Sequence, residues 1–286
     1  MKKVLFLVLV AVLVIGAKLN SKAQVLEGPP RDGIYDKTAT LQMQPIPYVP
    51  LREADVIWSK RVWRTIDLRE KMNQAFYFPT TPQNGWRSFV QIILDALKEG
   101  TITAYSAVNN DQFLYPMTYK ELMDKLQTSK KQHLLRPDNP DDNGYDTVMT
   151  SPFNPSDVKK LRIKEDWVFD KQRSQMEVRI LGICPVKDNF DENGNFRATE
   201  PLFWIYFPEC RGILAKNEQF NLKNGSAARL SYDDVFMKRL FSSYIYKEEN
   251  VYDRQITDYS MGVDALLEAE KAKTSLFEFE QNLWEY

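Results

Sequence analysis

The segment IWSKRVWRTIDLREKMN, residues 57–73, sets two tryptophans among three arginines and two lysines in a chain whose formal net charge is −1. Its apolar side chains recur with the spacing of a helix, and at about 100° per residue they share one broad face. Charged side chains occupy the other face. The pattern predicts an amphipathic helix from Arg52 to Phe76. The apolar set is Val56, Trp58, Val62, Trp63 and Ile66, and the charged set is Lys60, Arg64, Asp67 and Lys71.

Two interpretations of this predicted helix remain open. It packs its apolar face into the core, or it contributes tryptophan and arginine, the residue types that dominate binding hot spots, to a subunit interface. Arg61 flanks the apolar face and Arg69 projects toward it, where a guanidinium could stack on an aromatic ring or reach a partner's carboxylate. The interface candidates are therefore Trp58, Arg61, Trp63 and Arg69.

Elements of both kinds are predicted elsewhere. Helices are expected over Gly85–Lys98, from Thr118 to Leu126, over Tyr232–Tyr246 and over Val263–Trp284. Strands are expected over Thr101–Val108, Ile163–Phe169, Met176–Ile183 and Leu202–Phe207. The order predicts an α+β fold with a helical N-terminal half, antiparallel strands in the middle and a helical C-terminal part, in one compact body with an extended N-terminal arm.

The beginning of the chain has the basic, apolar and small-residue parts of a secretory signal, so residues 1–23 are expected to be cleaved. Its apolar run of about twelve residues is shorter than the roughly 20 that span a bilayer. Residues 24–52 contain five prolines and predict an extended arm; residues 53–286 form the folded domain. Residues 129–156, rich in proline and acids, predict a long surface loop or a divider.

Charge and cysteine content limit the partners. Without residues 1–23 the chain keeps 34 basic and 39 acidic side chains, a net charge of −5. This argues against nucleic acid, which needs a basic footprint. Export permits disulfides. Cys184 and Cys210 could pair, or they could stay as two buried thiols.

Motifs for catalysis and for cofactors are missing from the sequence. The one histidine, His133, lies in a polar run, and neither HExxH, paired CxxC, nor a glycine-rich phosphate loop occurs. We therefore predict no catalytic residue, no cofactor and no metal, and a protein that is not an enzyme. A weak calcium-loop pattern is formed by Asn189, Asp191, Asn193 and Glu200, but the Asn193-Gly194 pair favours a tight β-hairpin turn instead.

Two alternatives from other classes stay open. A carbohydrate- or peptide-binding module would use Trp86, Trp167 or Trp204 as an exposed stacking platform. A carboxylate-dependent hydrolase would need acids that converge in a pocket, such as Glu165 and Asp166, although adjacent acids on a strand point to opposite sides.

Several segments resemble the family of the gliding motility protein GldN, named PorN in non-gliding relatives, of the Bacteroidetes type IX secretion system. They are WSKRVWRTIDLREKMN, IKEDWVFDKQRSQMEVRILGICPV, PLFWIYFPECR and YDRQITDYS, and the similarity covers essentially the whole mature chain. The resemblance implies a periplasmic structural subunit without enzymatic activity.

The resemblance also implies partners. Members assemble with an outer-membrane lipoprotein, GldK or PorK, into large rings in which copies of the chain also contact each other. They also contact the periplasmic part of the motor protein GldM or PorM. A chain without its own membrane span would thus be held at the outer membrane through the lipoprotein. A ring of this kind forms when two different surfaces of neighbouring copies make the same contact repeatedly until the ring closes.

Overall fold

Strand β1 (Val56–Asp67) occupies the segment for which the sequence predicts a helix. The computed structural model describes residues 38–83, 85–108, 110–134, 145–190, 195–220 and 229–283. Trp58, Val62 and Ile66 are four residues apart, a spacing that puts side chains on one face in a helix and in a strand alike. The position of Trp63 distinguishes the strand from the helix. In a helix Trp63 would share the apolar face with Val62, whereas in the strand it lies on the opposite face. The predicted helix is therefore wrong.

β1 is an internal strand of an eight-stranded antiparallel sheet, so the predicted helical N-terminal half is also wrong. The sheet order is β10-β1-β6-β7-β9-β2-β3, and β8 pairs with β7. The other strands of this sheet are β2 (Ala104–Ser106), β3 (Pro116–Met117), β6 (Val158–Asp170), β7 (Gln175–Phe190), β8 (Phe196–Pro201), β9 (Phe203–Tyr206) and β10 (Tyr244–Glu248). The protein is thus mostly an antiparallel sheet with helices, most of them short, packed against it.

The strands predicted in the middle of the chain are confirmed, and two of them are longer than expected. β6 and β7 include Ile163–Phe169 and Met176–Ile183, and β9 lies within the predicted strand over Leu202–Phe207. β7 and β8 pair antiparallel from Val186 with Pro201 to Phe190 with Phe196, the pairing that a hairpin requires. The turn residues 191–194 themselves lie outside the described residues.

The helices begin and end where local capping chemistry places them. α3 starts after Ser88, whose side chain accepts from the Gln91 amide, and stops at Gly100, whose φ of +71° favours glycine. Thr118 and Glu121 form the predicted capping box of α4. The helices are α1 (Thr38–Leu41), α2 (Gln74–Tyr77), α3 (Phe89–Glu99), α4 (Tyr119–Leu126), α5 (Phe207–Lys216), α6 (Tyr232–Met237) and α7 (Gly262–Asn282).

The predicted helix over Tyr232–Tyr246 is only half correct. α6 starts at its predicted cap, Ser231, but ends at Met237, and Arg239 has a positive φ of 53° that turns the backbone out of the helix. The chain then returns to the sheet as β10. Tyrosine and isoleucine alternate at the start of β10, as is typical of a strand. Hydrogen bonding of this edge strand to β1 therefore determines its structure, although the spacing of its apolar residues also suits a helix.

The predicted loop over 129–156 contains regular structure. β4 (Thr128–Leu134) and β5 (Tyr145–Ser151) pair as a separate two-stranded antiparallel sheet, and residues 135–144 lie outside the described part. In the backbone register of this two-stranded sheet, His133 lies opposite Asp146. The described residues from Thr38 onward belong to one compact unit.

The main core lies on one side of the sheet, which we name the first face. Ile66, Ile163 and Ile205 contribute to it from the strands. Rings from four helices pack on them, with Phe236 5.2 Å from Phe76 and 5.5 Å from Phe89 and Phe207 between ring centroids. A smaller cluster on the same face joins Val62 and Ile245 to Ala269, Ala272 and Leu276 of α7.

The described part of the predicted arm is extended after α1 and lies along the domain. Arg211 Nη2 donates to the Ile46 carbonyl at 2.7 Å, and Arg179 Nη2 donates to the Val49 carbonyl at 2.5 Å. Tyr48 packs under both guanidinium groups, at 4.5 Å from Arg211 and 5.2 Å from Arg179. Two arginines therefore hold the arm by its backbone, and its apolar side chains stay exposed.

Candidate interaction surface

Alternate positions of β1 and β6 bring cationic and aromatic side chains together on the side of the sheet opposite the main core, which we name the second face. Cross-strand pairing sets Arg61 opposite Asp166, and Trp63 opposite Lys164. Residues that face each other in an antiparallel pair project to the same side. Trp63 joins Cys184, Val186 and Trp204 in a separate cluster there.

Two of the cations on this face are matched by acids. Arg61 binds Asp166 in a bidentate pair with distances of 2.6 and 2.9 Å, and this hydrogen bonding raises the pKa of Arg61. Lys164 Nζ donates to the Asp111 carbonyl at 2.8 Å and lies 3.3 Å from its carboxylate. Burial nevertheless lowers the pKa of Lys164. Trp63 Nε1 donates to the same Asp111 carboxylate.

A pocket of about 450 Å³ opens on the second face. Its floor is the sheet, and its walls come from the segment that follows β2 and from the segment that follows β10. The charged and aromatic side chains that line the pocket are Arg61, Trp63, Asp111, Arg162, Lys164, Trp204, Tyr246, Lys247, Glu249 and Asp253.

Gly182 of β7 sets how closely the pocket wall approaches the sheet. A Cβ atom at this position would lie 2.5 Å from Cζ of Phe113 and 3.1 Å from the Ile205 carbonyl oxygen. Phe113 packs edge-on against Tyr105 at 5.5 Å and Trp204 at 6.3 Å. The absence of a side chain at Gly182 therefore lets the ring close over the strand.

Gly182→Ala is expected to displace Phe113 and to lower the free energy of unfolding by about 1–3 kcal/mol, the usual cost of overpacking. Chemical denaturation measures the loss, and the near-ultraviolet circular dichroism of the wall aromatics reports the displacement. Gly212→Ala on α5 is the control, because a Cβ atom there meets nothing within 4 Å. Equal stability of the two variants would contradict this role of Gly182.

The four predicted interface residues do not form one surface. Arg61 and Trp63 lie together on the second face, but Trp63 is only 6% exposed. Trp58 lies on the first face and stacks on Phe279 of α7 with 4.3 Å between ring centroids. Arg69 follows the strand and pairs with Asp67 at 2.6 Å.

No prediction from the sequence included the residues that give this pocket most of its positive charge. Arg162 and Lys164 come from β6, and Tyr246 and Lys247 come from β10. The alternation of basic residues in KKLRIKED was a signal for the first pair, because a period of two places them on one side of a strand. The second pair joins them only through the pairing of β10 with β1.

A buried charge cluster lies on the first face, beneath α7. The Glu165 side chain is 0% exposed and pairs with Arg64 and with Arg239, the latter at 2.8 Å. Burial opposes ionisation, but the guanidinium groups of Arg239 and Arg64 outweigh it and lower the pKa of Glu165. A catalytic general acid needs a raised pKa, so Glu165 is unsuited to that role in the hydrolase alternative. Asp166 points to the other side of the strand, as predicted.

The tryptophans proposed as stacking platforms are engaged by the protein itself. Trp204 is 4% exposed. Trp167 has the guanidinium carbons of Arg64 and Arg239 at 5.7 and 5.6 Å from its ring centroid. Trp86 packs edge-on against Phe220 at 5.4 Å. This arrangement does not favour a carbohydrate-binding module.

Cys184 and Cys210 are free, buried thiols in the structure and belong to different clusters. Burial raises the pKa of both, that of Cys184 to about 12. Asn189 Nδ2 donates to Glu200 at 2.6 Å, a contact between side chains of the weak calcium pattern, and Asp191 and Asn193 lie outside the described residues. Within the described ranges, no three His, Cys, Asp or Glu side chains group as metal ligands.

Comparison with known families gives the biological setting of this sheet and its pocket. Residues 51–285 match the family described as gliding motility associated protein GldN. The chain belongs to the GldN family. The match starts five residues before β1 and includes every element of the eight-stranded sheet. No curated protein matches the chain.

GldN membership makes the chain a component of the gliding motility and type IX secretion machinery and confirms the resemblance found in the sequence. The GldN family is one of secretion and motility components and is not known for catalysis. Among the helices in the described part of the chain, none combines the length and hydropathy needed to cross a bilayer.

Proposed function

We propose that the protein is a non-catalytic periplasmic scaffold subunit of the type IX secretion and gliding machinery. It forms a ring-like assembly with a GldK- or PorK-like lipoprotein and contacts the GldM- or PorM-like motor protein. Its action is mechanical: a rigid sheet domain with an attached arm fixes its neighbours, and the lipoprotein holds it at the outer membrane. Membership of the GldN family supports this proposal.

The observation that carries the proposal is a second apolar stripe on α7. The buried stripe of this helix, Ala269, Ala272 and Leu276, packs on the sheet. At about 100° per residue, the exposed side chains lie on another side of the helix, within an arc of about 100°. They are Val263 at 71%, Leu266 at 60%, Leu267 at 55% and Phe277 at 56% exposure. Exposed apolar patches of this kind mark contacts between proteins.

The arm adds exposed apolar surface. Leu41, Ile46 and Val49 are 65%, 77% and 48% exposed, although the backbone around them is fixed by Arg179 and Arg211. An ordered segment with outward apolar side chains suits a permanent neighbour, because its conformational entropy is already lost before contact. In a ring, each copy would offer such a segment to the next.

Purification of the tagged protein from its native envelope tests the proposal. The lipoprotein and the motor protein are expected to co-purify with it in stable proportion and to be identified by mass spectrometry. Recovery of the protein without either of them, from an envelope that contains both, would refute the scaffold role.

Leu266→Glu is expected to weaken association with the neighbouring subunit of the ring at least tenfold, because a charge enters the exposed stripe. Thermal stability should not change, since the side chain is exposed. Analytical ultracentrifugation of the purified assembly measures the loss. Ser275→Glu, an exposed position about 180° around the same helix, is the matched control. Equal association of both variants would exclude the stripe as a contact.

A further inference from the structure

Arg162 differs from the other cations of the second-face pocket in its partners. Arg61 and Lys164 are each paired with an aspartate. Within the ranges that the structure describes, the Arg162 guanidinium has no carboxylate partner, and its contact is the Tyr246 ring, 4.6 Å from the ring centroid. The side chain is partly buried and lines the pocket. An arginine thus occupies the pocket floor with its hydrogen-bond donors unused by an acid.

Asp111, Glu249 and Asp253 line the same pocket, but none of them forms an ion pair with Arg162. Partial burial without such a pair has a cost, because the guanidinium loses part of its hydration and gains no carboxylate contact in return. Its planar donor fork matches a carboxylate in two parallel hydrogen bonds. Tyr246 holds the plane of the fork by stacking, which reduces the entropy that is lost when a ligand binds. These features are those of a prepared carboxylate site.

Lys247 shows that this pocket admits a carboxylate from its rim. Its Nζ lies 2.5 Å from Asp253 Oδ1, and the Asp253 side chain is 82% exposed. The same Nζ lies 4.4 Å from the Trp63 ring centroid, so the lysine itself is directed over the pocket floor. Because Asp253 is exposed, its ion pair with Lys247 contributes little to stability, and another carboxylate can easily replace it.

We propose that the pocket receives an acidic side chain from a second copy of this chain, with Arg162 as its main ligand and Lys247 as the second. The proposal rests on the proposed function and specifies one contact of the ring. Charge favours a second copy as the occupant, because the chain is acidic after loss of residues 1–23 while this pocket holds an unpaired cation. A heterologous ring also requires two different complementary surfaces on one chain.

The size of the pocket fits a side chain presented by a protein surface. A volume of about 450 Å³ exceeds the space of a single carboxylate, and Val108, at 70% exposure, and Trp204 line it with apolar surface for the stem of the entering residue. Acid and stem together identify glutamate or aspartate on an ordered segment as the chemistry that this pocket recognises.

Zero-length carbodiimide cross-linking of the purified native assembly identifies the occupant, because it joins Lys247 to whichever carboxylate lies against it. In the isolated chain the cross-link is expected to join Lys247 to Asp253. In the assembly it is expected to join Lys247 to an acid too distant within one copy for a direct bond. A cross-link to another protein, or to Asp253 alone, would overturn the proposal.

Arg162→Gln provides an independent measurement. Self-association of the assembly is expected to fall at least tenfold, while the thermal midpoint of the isolated chain stays equal or rises, since an unpaired charge is removed. Arg162→Lys, which keeps the charge but loses the fork, should give a smaller loss. Arg52→Gln, which removes an exposed arginine paired with Asp55, is the control.

The two proposals fail separately. If the wild-type chain binds neither the lipoprotein nor the motor protein, the scaffold role fails. If it binds them and Arg162→Gln assembles as well as the wild type, only the carboxylate pocket fails. A fall in the thermal midpoint of Arg162→Gln as large as its loss of assembly would assign Arg162 a structural role instead.

Discussion

Replacing Glu165 by glutamine is expected to lower the free energy of unfolding by about 3–5 kcal/mol, the usual cost of removing one partner from a buried ion pair. The substitution keeps the size of the side chain and removes its charge. Arg64, with a side chain only 7% exposed, and Arg239 then remain beneath α7 without their acid. Urea denaturation followed by tryptophan fluorescence measures the change.

Asp166→Asn is the matched control, because the neighbouring acid pairs with Arg61 on the other side of the sheet, where the two side chains are 25% and 40% exposed. Its expected cost is below about 1 kcal/mol. The pH dependence gives a second readout. Since the pKa of Glu165 is below its ordinary 4.5, its stabilisation is full above pH 4.5 and is lost as the pH falls through the lower folded value. Glu165→Gln should lack this component. Similar stabilities for the two variants would show that the buried cluster does not stabilise the fold.

Asp233→Asn is expected to cost about 3 kcal/mol or more and to release the arm. Asp233 binds Arg211 at 2.9 and 3.1 Å, and both side chains are less than a tenth exposed. Arg211 also holds the Ile46 carbonyl and packs on Tyr48, so the loss of its acid should loosen the arm and the helix start together. A spin label at Ile46, an exposed arm position, measures the release through a more mobile electron paramagnetic resonance spectrum.

Asp264→Asn is the control for this effect, because it makes the same charge change in the first turn of α7, where the side chain is exposed. It should leave the spectrum of the arm label unchanged. If Asp233→Asn lowers stability without greater mobility of the label at Ile46, the arm is held by contacts other than Arg211.

Local signals in the sequence predicted those elements that depend on local chemistry. α3 ends one residue after its predicted end at Lys98, and the predicted Thr118 capping box starts α4, because caps act on the neighbouring backbone. The Ser88 cap, which starts α3 four residues after the predicted Gly85, was not predicted. β1 was mispredicted because a spacing of four residues is common to both periodicities, and because the strand is covered on both sides. Arg64 is buried next to Val62, so polarity does not alternate as it does in a strand with one wet face.

The candidate site could be predicted only in part. Arg61 and Trp63 were selected by residue type, and the structure places both at the pocket. Trp58 and Arg69 were selected by the geometry of a helix that does not form. Arg162 and Tyr246 meet only because β1 lies between β6 and β10, a pairing between segments far apart in the chain that no local pattern specifies.

Light scattering of the mature chain reconstituted with its GldK- or PorK-like lipoprotein tests the scaffold account most directly. A stable complex many times the mass of one chain is expected, with both proteins in fixed ratio. A mature chain that stays at the mass of a monomer, alone and with the lipoprotein, would contradict it.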